Sequence, residues 1–323
     1  MQIFDKEKKY NFMGVRHIFL AISLFLVLGS IVSIFTKGIN YGIDFAGGTL
    51  VQIKYDKAAP ISQIRETLDS LEAFKSVSVT EFGSKEEVTV RYSGSNDSLG
   101  ADPGKNIAEI LKDTGNFEIR MVSIVGPKVG GELRKKGIMA LSVSLILILI
   151  YIAFRFEWRF SLAAIVAEIH DVIIAIGVIS FFQIDVNLDT LAAILTIIGY
   201  SLNDTIIVFD RIRENIQDTK EGDLATLINS SLSQTLSRTI LTSFTTLIAV
   251  VILFVFGGDM IHDFSFIMLI GVIVGTLSSI FIGSQGLLWL KFSIKDYREM
   301  LAAKKKREKE KERMRAMYEK GVV

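Results

Sequence analysis

The chain has 323 residues, half of them hydrophobic and 22% charged, with 36 Lys+Arg against 35 Asp+Glu and a formal net charge of +1. The absence of cysteine excludes disulfide scaffolds, Cys-ligated zinc, iron–sulfur clusters and thiol nucleophiles, and three scattered histidines (His17, His170, His262) make a poor metal site. Near-zero charge supplies no global basic field for nucleic acid, while apolar runs of 17 residues or more between charged blocks mark an integral membrane protein.

Residues 1–16 form a basic N-terminal segment carrying Lys6, Lys8, Lys9 and Arg16. The first span covers residues 17–36, with an apolar core from His17 to Phe35. That core is too long for a signal-peptide h-region and no A-x-A-like site follows, so it reads as an uncleaved anchor.

Residues 37–136 are expected to form an outward domain. Thr49–Tyr55 (TLVQIKY) alternates and is rich in strand formers, and Ile61–Phe74 has helical apolar spacing after Pro60. Ser76–Phe82 and Val88–Tyr92 read as strands joined by a Gly83–Glu87 turn, Gly104–Thr114 as a short helix, and Phe117–Val125 as a last strand. The order β-α-β-β-α-β is that of an α+β ferredoxin-like domain. The Gly-, Ser- and Asp-rich stretch Ser93–Pro103 is expected to be a loop.

Residues 137–290 hold five further spans, near Ile138–Phe154, Ser161–Phe182, Leu188–Phe209, Leu236–Phe256 and Phe264–Leu290. A loop-and-helix over Arg211–Ser237 is expected between the fourth and fifth spans. The fold class is therefore a polytopic α-helical membrane protein with six transmembrane helices and an extracytoplasmic domain between helices 1 and 2. A basic tail, residues 291–323, closes the chain.

Six spans put both ends on one side, and Lys/Arg counts over short loops say which. The tail from Lys291 carries twelve, the 155–159 turn carries Arg155 and Arg159, and the 210–238 loop carries Arg211, Arg213, Lys220 and Arg238. Loops 183–189 and 257–263 carry none, so both termini are expected in the cytoplasm. Arg134, Lys135 and Lys136 are a local exception. The tail reads as a solvated helical extension, or else as a contact for anionic lipid, ribosomal RNA or an acidic partner.

A charge deep in a bilayer costs about 2.5–3.5 kcal/mol on insertion scales, so each one needs a reason. The third span holds Glu168, His170 and Asp171; Glu168 and Asp171 lie three apart and share a helical face. The fourth holds Asn203 and Asp204 in GYSLNDT, and the fifth opens with Arg238, followed by Thr239, Thr242 and Ser243. Asp204 and Arg238 lie towards the same ends of adjacent antiparallel spans and are expected at similar depth. An Arg that approaches and leaves a buried Asp would make it release and take up a proton; the bland alternative is a static pair fixing helix packing. His170, Asp171 and Glu168 form a candidate polar seam. Gly271, Gly275 and Gly283 make a small-residue row that helix packing explains. No P-loop, H-E-x-x-H or G-x-S-x-G sequence occurs, so no catalytic, cofactor-binding or metal-ligating set is expected.

The run Tyr41–Gly48 (YGIDFAGG) resembles the G-I-D-F-x-G-G motif of the SecD/SecF family, itself part of the RND superfamily. Arg155–Arg159 (RFEWR), His170–Asp171, Gly199–Thr205 (GYSLNDT), Val208–Asn215 (VFDRIREN), Arg238–Ser243 (RTILTS) and Phe256–Gly258 (FGG) agree in the same order. The small outward region favours the SecF side of the family. The resemblance implies a heterodimer with SecD in the bacterial cytoplasmic (inner) membrane, association with the SecYEG channel and often YajC, and late preprotein export driven by the proton or sodium motive force. It implies ion-coupling roles for Asp204 and Arg238, with Asn203 and Thr242 lining their seam. Gly42, Asp44, Phe45, Gly47 and Gly48 carry the interdomain motif. Glu168 matches no position of the family pattern. The competing readings are a half-size RND-type exporter of lipids or small molecules, and a non-transporting scaffold.

Overall fold

The computed structural model describes residues 10–71, 74, 77–92, 102–218, 223–258 and 261–319. The basic residues before Tyr10, most of the Ser93–Pro103 stretch, Lys220 and the end of the tail lie outside the described residues.

In chain order come α1 (Arg16–Lys37), the short α2 (Ile43–Ala46), β1 (Gly48–Tyr55), α3 (Ile61–Asp69), β2 (Ser78–Phe82) and β3 (Ser84–Tyr92). Then follow α4 (Pro103–Ile110), a 3-10 turn (Lys112–Thr114), β4 (Phe117–Val125) and α5 (Pro127–Arg155). The remainder is α6 (Trp158–Phe182), α7 (Leu188–Asp218), α8 (Leu224–Phe256), α9 (His262–Ser278), a π-helical turn (Ser279–Gly283), α10 (Ser284–Trp289) and α11 (Ile294–Glu319).

The strands pair in the order β2-β3-β1-β4, each neighbour antiparallel, which is the ferredoxin-like arrangement expected from the element order. One face is covered: Val51 and Ile53 of β1, Val88 and Val90 of β3, Ile64 and Leu68 of α3, and Ile107 of α4 are fully buried together. α4 starts where Asp102 accepts a hydrogen bond from the Lys105 N–H at 3.2 Å and Pro103 occupies the first turn. Two details differ from expectation. β3 begins at Ser84, so the hairpin closes at Gly83 instead of over Gly83–Glu87. α3 ends at Asp69, after which the Leu71 and Phe74 N–H groups bond three residues back and Phe74 is buried in the sheet core.

Among the described residues six helices are long and apolar enough to cross a membrane, the last of them interrupted by the π turn. α6, α7 and α9 form the inside. Half of the most apolar stretch of α6 and of α7 is buried, against 11% for α1 and α5. The span expected from Ile138 begins at Pro127, because Gly126-Pro127 starts a helix that carries Arg134, Lys135 and Lys136 as a stem between sheet and bundle. Among the described residues there is no separate loop-and-helix over Arg211–Ser237. α7 instead runs on to Asp218 and α8 begins at Leu224 behind an Asp223 cap, and Asn215 ties them by bonds of 2.8 Å to Ser231 and Gln234.

Candidate functional site

Along α6, α7 and α9 the interior reads apolar, polar, apolar. Towards the sheet domain, Ala175, Ile179, Ile194, Ile197, Ile198 and Val272 pack together. Towards the chain termini, Phe160, Val208, Phe209, Phe281 and Leu287 do the same. Between them lie Glu168, Asp171, Ser201, Asp204, Thr205 and Ser278, all buried.

Asp171 is the best-served group of this layer. Its Oδ2 accepts hydrogen bonds from Ser201 at 2.5 Å and Ser278 at 2.6 Å, and its Oδ1 lies 2.8 Å from His170 Nδ1. Ser23 of α1 lies 2.5 Å from His170 Nε2. The bonds impose a direction: with Nδ1–H donating to the carboxylate, Nε2 accepts the Ser23 proton. Close approach of α7 and α9 makes the arrangement possible. A Cβ placed on Gly271 would stand 2.2 Å from Ile197 Cδ1, so that row of small residues sets the spacing at which Ser201 and Ser278 reach one carboxylate.

Glu168, buried one turn from Asp171, has no hydrogen-bond partner on either oxygen. Asp204 is 1% exposed and its Oδ2 also lacks a partner, as do the buried hydroxyls of Thr205 and Thr239 beside it in sequence and on the next helix. Among the described residues no ion pair joins Asp204 to Arg238. Arg238 is exposed and lines an open cleft of about 440 Å³ together with Asp210, Arg211, Glu214 and Ile207, the last of these one turn from Asp204. Asn203 is exposed, and the Thr242 hydroxyl is spent on the Arg238 and Thr239 carbonyls at 3.0 Å. Within this chain the buried neighbours of the layer are thus Ser201, Thr205 and Thr239 rather than Asn203 and Thr242. The spacing 201, 204, 205, 208 marks that inward face of α7, and it was readable from the helical period. Ser278 was hidden in the small-residue row, and Ser23 in an otherwise apolar span.

The interdomain motif makes a joint. Gly42 N–H bonds the Val186 carbonyl at 3.0 Å, Val186 N–H bonds the Asn40 carbonyl at 2.8 Å, and Asp44 accepts the Leu188 N–H at 3.1 Å. Leu188 opens α7, so the Asp44 carboxylate sits at the positive end of the helix that carries Asp204. From the sheet, Arg91 pairs with Asp185 at 2.7 Å and donates to the Tyr41 carbonyl at 3.1 Å. Phe45 is buried. Gly47 (φ +76°) and Gly48 (φ +127°) hold backbone conformations that favour glycine, and a Cβ on either would stand 2.7 Å from backbone, of Pro127 and Tyr92 respectively. At the other end of the bundle, RFEWR and VFDRIREN meet: Arg155 and Arg213 both pair with Asp210, at 2.5 and 3.4 Å.

Comparison with known proteins identifies the family. The family described as "Protein export membrane protein SecD/SecF, C-terminal" matches residues 106–293, and the "SecD/SecF GG Motif" matches residues 32–59. A "Protein translocase subunit SecF" of Helicobacter pylori strain J99 is 46% identical over 323 residues, the whole of both chains. The chain belongs to the SecF family. Its relative in Vibrio alginolyticus is 46% identical over 285 residues, covering 88% of this chain and 90% of that one. Among solved structures, SecDF of Thermus thermophilus, titled a translocon-associated membrane protein, superposes with a TM-score of 0.82 at 35% identity. That match covers 90% of this chain but 40% of the larger SecDF chain. As a SecF-family protein the chain is a multi-pass membrane protein, and its fold matches one part of a SecDF.

Proposed function

We propose that this chain pairs with SecD and couples the flow of protons or sodium ions to the late export of preproteins through the SecYEG channel, with YajC among the associated subunits. One observation carries the reading: Asp204 is buried inside the bundle with an unpartnered oxygen, one turn of α7 from the charged cleft that holds Arg238. An unpaired buried carboxylate costs several kcal/mol unless an ion or a cation joins it. In a static structural pair Arg238 would already be in contact. Here the Arg238 guanidinium is within electrostatic reach of Asp204 but forms no ion pair with it, as one state of a switching pair would. The exposed positions of Asn203 and Arg238 leave them free to meet the partner chain. The Lys/Arg distribution supports the bacterial inner membrane with both termini cytoplasmic and the sheet domain outside. The Asp44–Leu188 joint supplies a physical route from α7 to that domain.

The test uses inverted membrane vesicles carrying SecYEG and the matching SecD, with preprotein translocation measured with and without a collapsed gradient. Asp204→Asn should match wild type in collapsed vesicles and lose the gradient-dependent part. Equal stimulation by both proteins in every condition would mean a scaffold, and no effect of either would favour the small-molecule exporter.

A further inference from the structure

The strong hydrogen bonds of the polar layer of α6 converge on Asp171, while Glu168 has only the Ser201 hydroxyl, already bonded to Asp171, within reach. Asp171 receives His170, Ser201 and Ser278, whereas Glu168, 4% exposed, has two unpartnered oxygens one turn away on the same helix face. As an anion Glu168 would be a second negative charge beside Asp171, with no ion-pair partner among the described residues and only the shared Ser201 hydroxyl to offset it. α7 brings Asp204 and the Tyr200 hydroxyl to this region. The charged and titratable residues of α1 and α9 (Arg16, His17, Lys37, His262, Asp263) sit at the helix ends, those of α5 outside its apolar run apart from Tyr151, and α10 offers Gln285. Two carboxylates so placed are stable when one proton serves both.

We propose that Glu168 binds a proton shared with Asp171, and that this pair is a second proton-carrying site of the protein, distinct from Asp204. A supply route is built in. A cavity of about 50 Å³ between α1 and the last span has a mostly apolar wall (Phe19, Ile22, Leu26, Phe281) with Ser23, His170 and Ser278 at its polar edge, and is large enough for a water bonded to that edge. An excess proton carried in by that water goes to Ser23 Oγ as the Ser23 hydroxyl proton moves to His170 Nε2 and the Nδ1 proton moves to Asp171 Oδ1. From there the pair passes it to Glu168; the water is left neutral and His170 is left as its Nε2–H tautomer. Glu168 alone, in an apolar wall, could not be loaded in this way; Asp171 with its His170 bond makes it reachable. The site stands independently of the Asp204 reading.

The experiment is infrared spectroscopy of the full chain in lipid vesicles, following the C=O stretch of protonated carboxylic acids in H₂O and D₂O at neutral pH. Wild type should show such a band, shifted by deuteration. Glu168→Gln should remove that component, Glu168→Asp should move it, Asp171→Asn should change its pH dependence, and Asp204→Asn should leave it in place. A wild-type spectrum without a protonated-acid band at neutral pH overturns the proposal even where Glu168→Gln fails to fold. A band that survives Glu168→Gln in folded protein, or that sodium chloride displaces at constant pH, overturns it as well. Loss of gradient coupling in Asp204→Asn with the Glu168 band intact would separate the two sites. Normal export by Asp204→Asn would count against the coupling reading and leave the Glu168 result untouched.

Discussion

Gly38 and Gly47 share a backbone conformation but not their surroundings, which separates strain from crowding. Gly38 has φ +72° and ψ −164°, Gly47 φ +76° and ψ +169°. An L side chain in that region costs about 1–3 kcal/mol wherever it occurs. Around Gly38 an added Cβ meets nothing within 4 Å, whereas at Gly47 it would stand 2.7 Å from Pro127 Cα and 3.0 Å from Pro127 N. Backbone cannot rotate aside, so Gly47→Ala carries a further overpacking cost of about 1–3 kcal/mol. Gly130 completes the set: its Cβ would stand 2.7 Å from Gly47 N in an ordinary helical backbone, so Gly130→Ala carries the crowding without the strain. Melting of the three variants in detergent should give Gly47→Ala as the least stable, about the sum of the other two losses. Equal melting of Gly38→Ala and Gly47→Ala would refute the claim that the motif is glycine-rich because the sheet, α5 and the loop before α7 converge on it.

Gly271→Ala should destabilise by about 1–3 kcal/mol through the clash with Ile197, and Gly271→Ala with Ile197→Ala should be less destabilised than the two single losses added, read from the same melts. Ser201→Ala removes one of two hydroxyls on Asp171 Oδ2, and should cost about 1.5–3 kcal/mol with helicity by circular dichroism unchanged. In the sheet domain, burial outweighs the 2.7 Å Thr114 bond and raises the Tyr55 phenol above its ordinary value of 10.0. The neutral phenol is therefore favoured by folding, its contribution is complete below the unfolded value, and it is lost as pH rises through the folded one. Unfolding at alkaline pH should show a stability decline that Tyr55→Phe reduces, followed by tyrosinate absorbance; an identical decline in Tyr55→Phe would refute it.

The sheet was legible because its signals are local. Alternation over Thr49–Tyr55 and Phe117–Val125, and Pro and Asp at the start of α4, need no partner to be read. Helix ends were harder. Hydropathy marks where α5 and α8 are apolar, at Ile138 and Leu236, but the helices start at Pro127 and behind the Asp223 cap, where the start signals rather than the apolar run set the end. In the layer, Glu168, Asp171 and Asp204 were conspicuous because charge in an apolar run is costly. Hydroxyls are not conspicuous in that way. Ser201 could be placed on the inward face of α7 by spacing, but Ser23 and Ser278 could not, and that three helices carry these hydroxyls to one histidine–aspartate pair is a long-range coincidence that spacing along a single span does not encode.

The same packing ties the two ends of α7 to different tasks. At its start, the Leu188 N–H is held by Asp44, and Asp185 just before it is held by Arg91 of β3, so a displacement of the sheet domain pulls on this end of the rod. Thirteen to seventeen residues on, the inward face carries Ser201, Asp204 and Thr205, and beyond them Asp210 is gripped by Arg155 and Arg213. A helix transmits axial shifts with little loss because its hydrogen bonds run along the axis. Asp44→Asn keeps the acceptor oxygen but removes the charge at the helix start, costing about 0.3–1 kcal/mol. In the proposed translocation assay, a larger loss in the gradient-dependent part than in melting would then mean that the joint transmits motion, whereas proportional losses would mean that it only braces the fold.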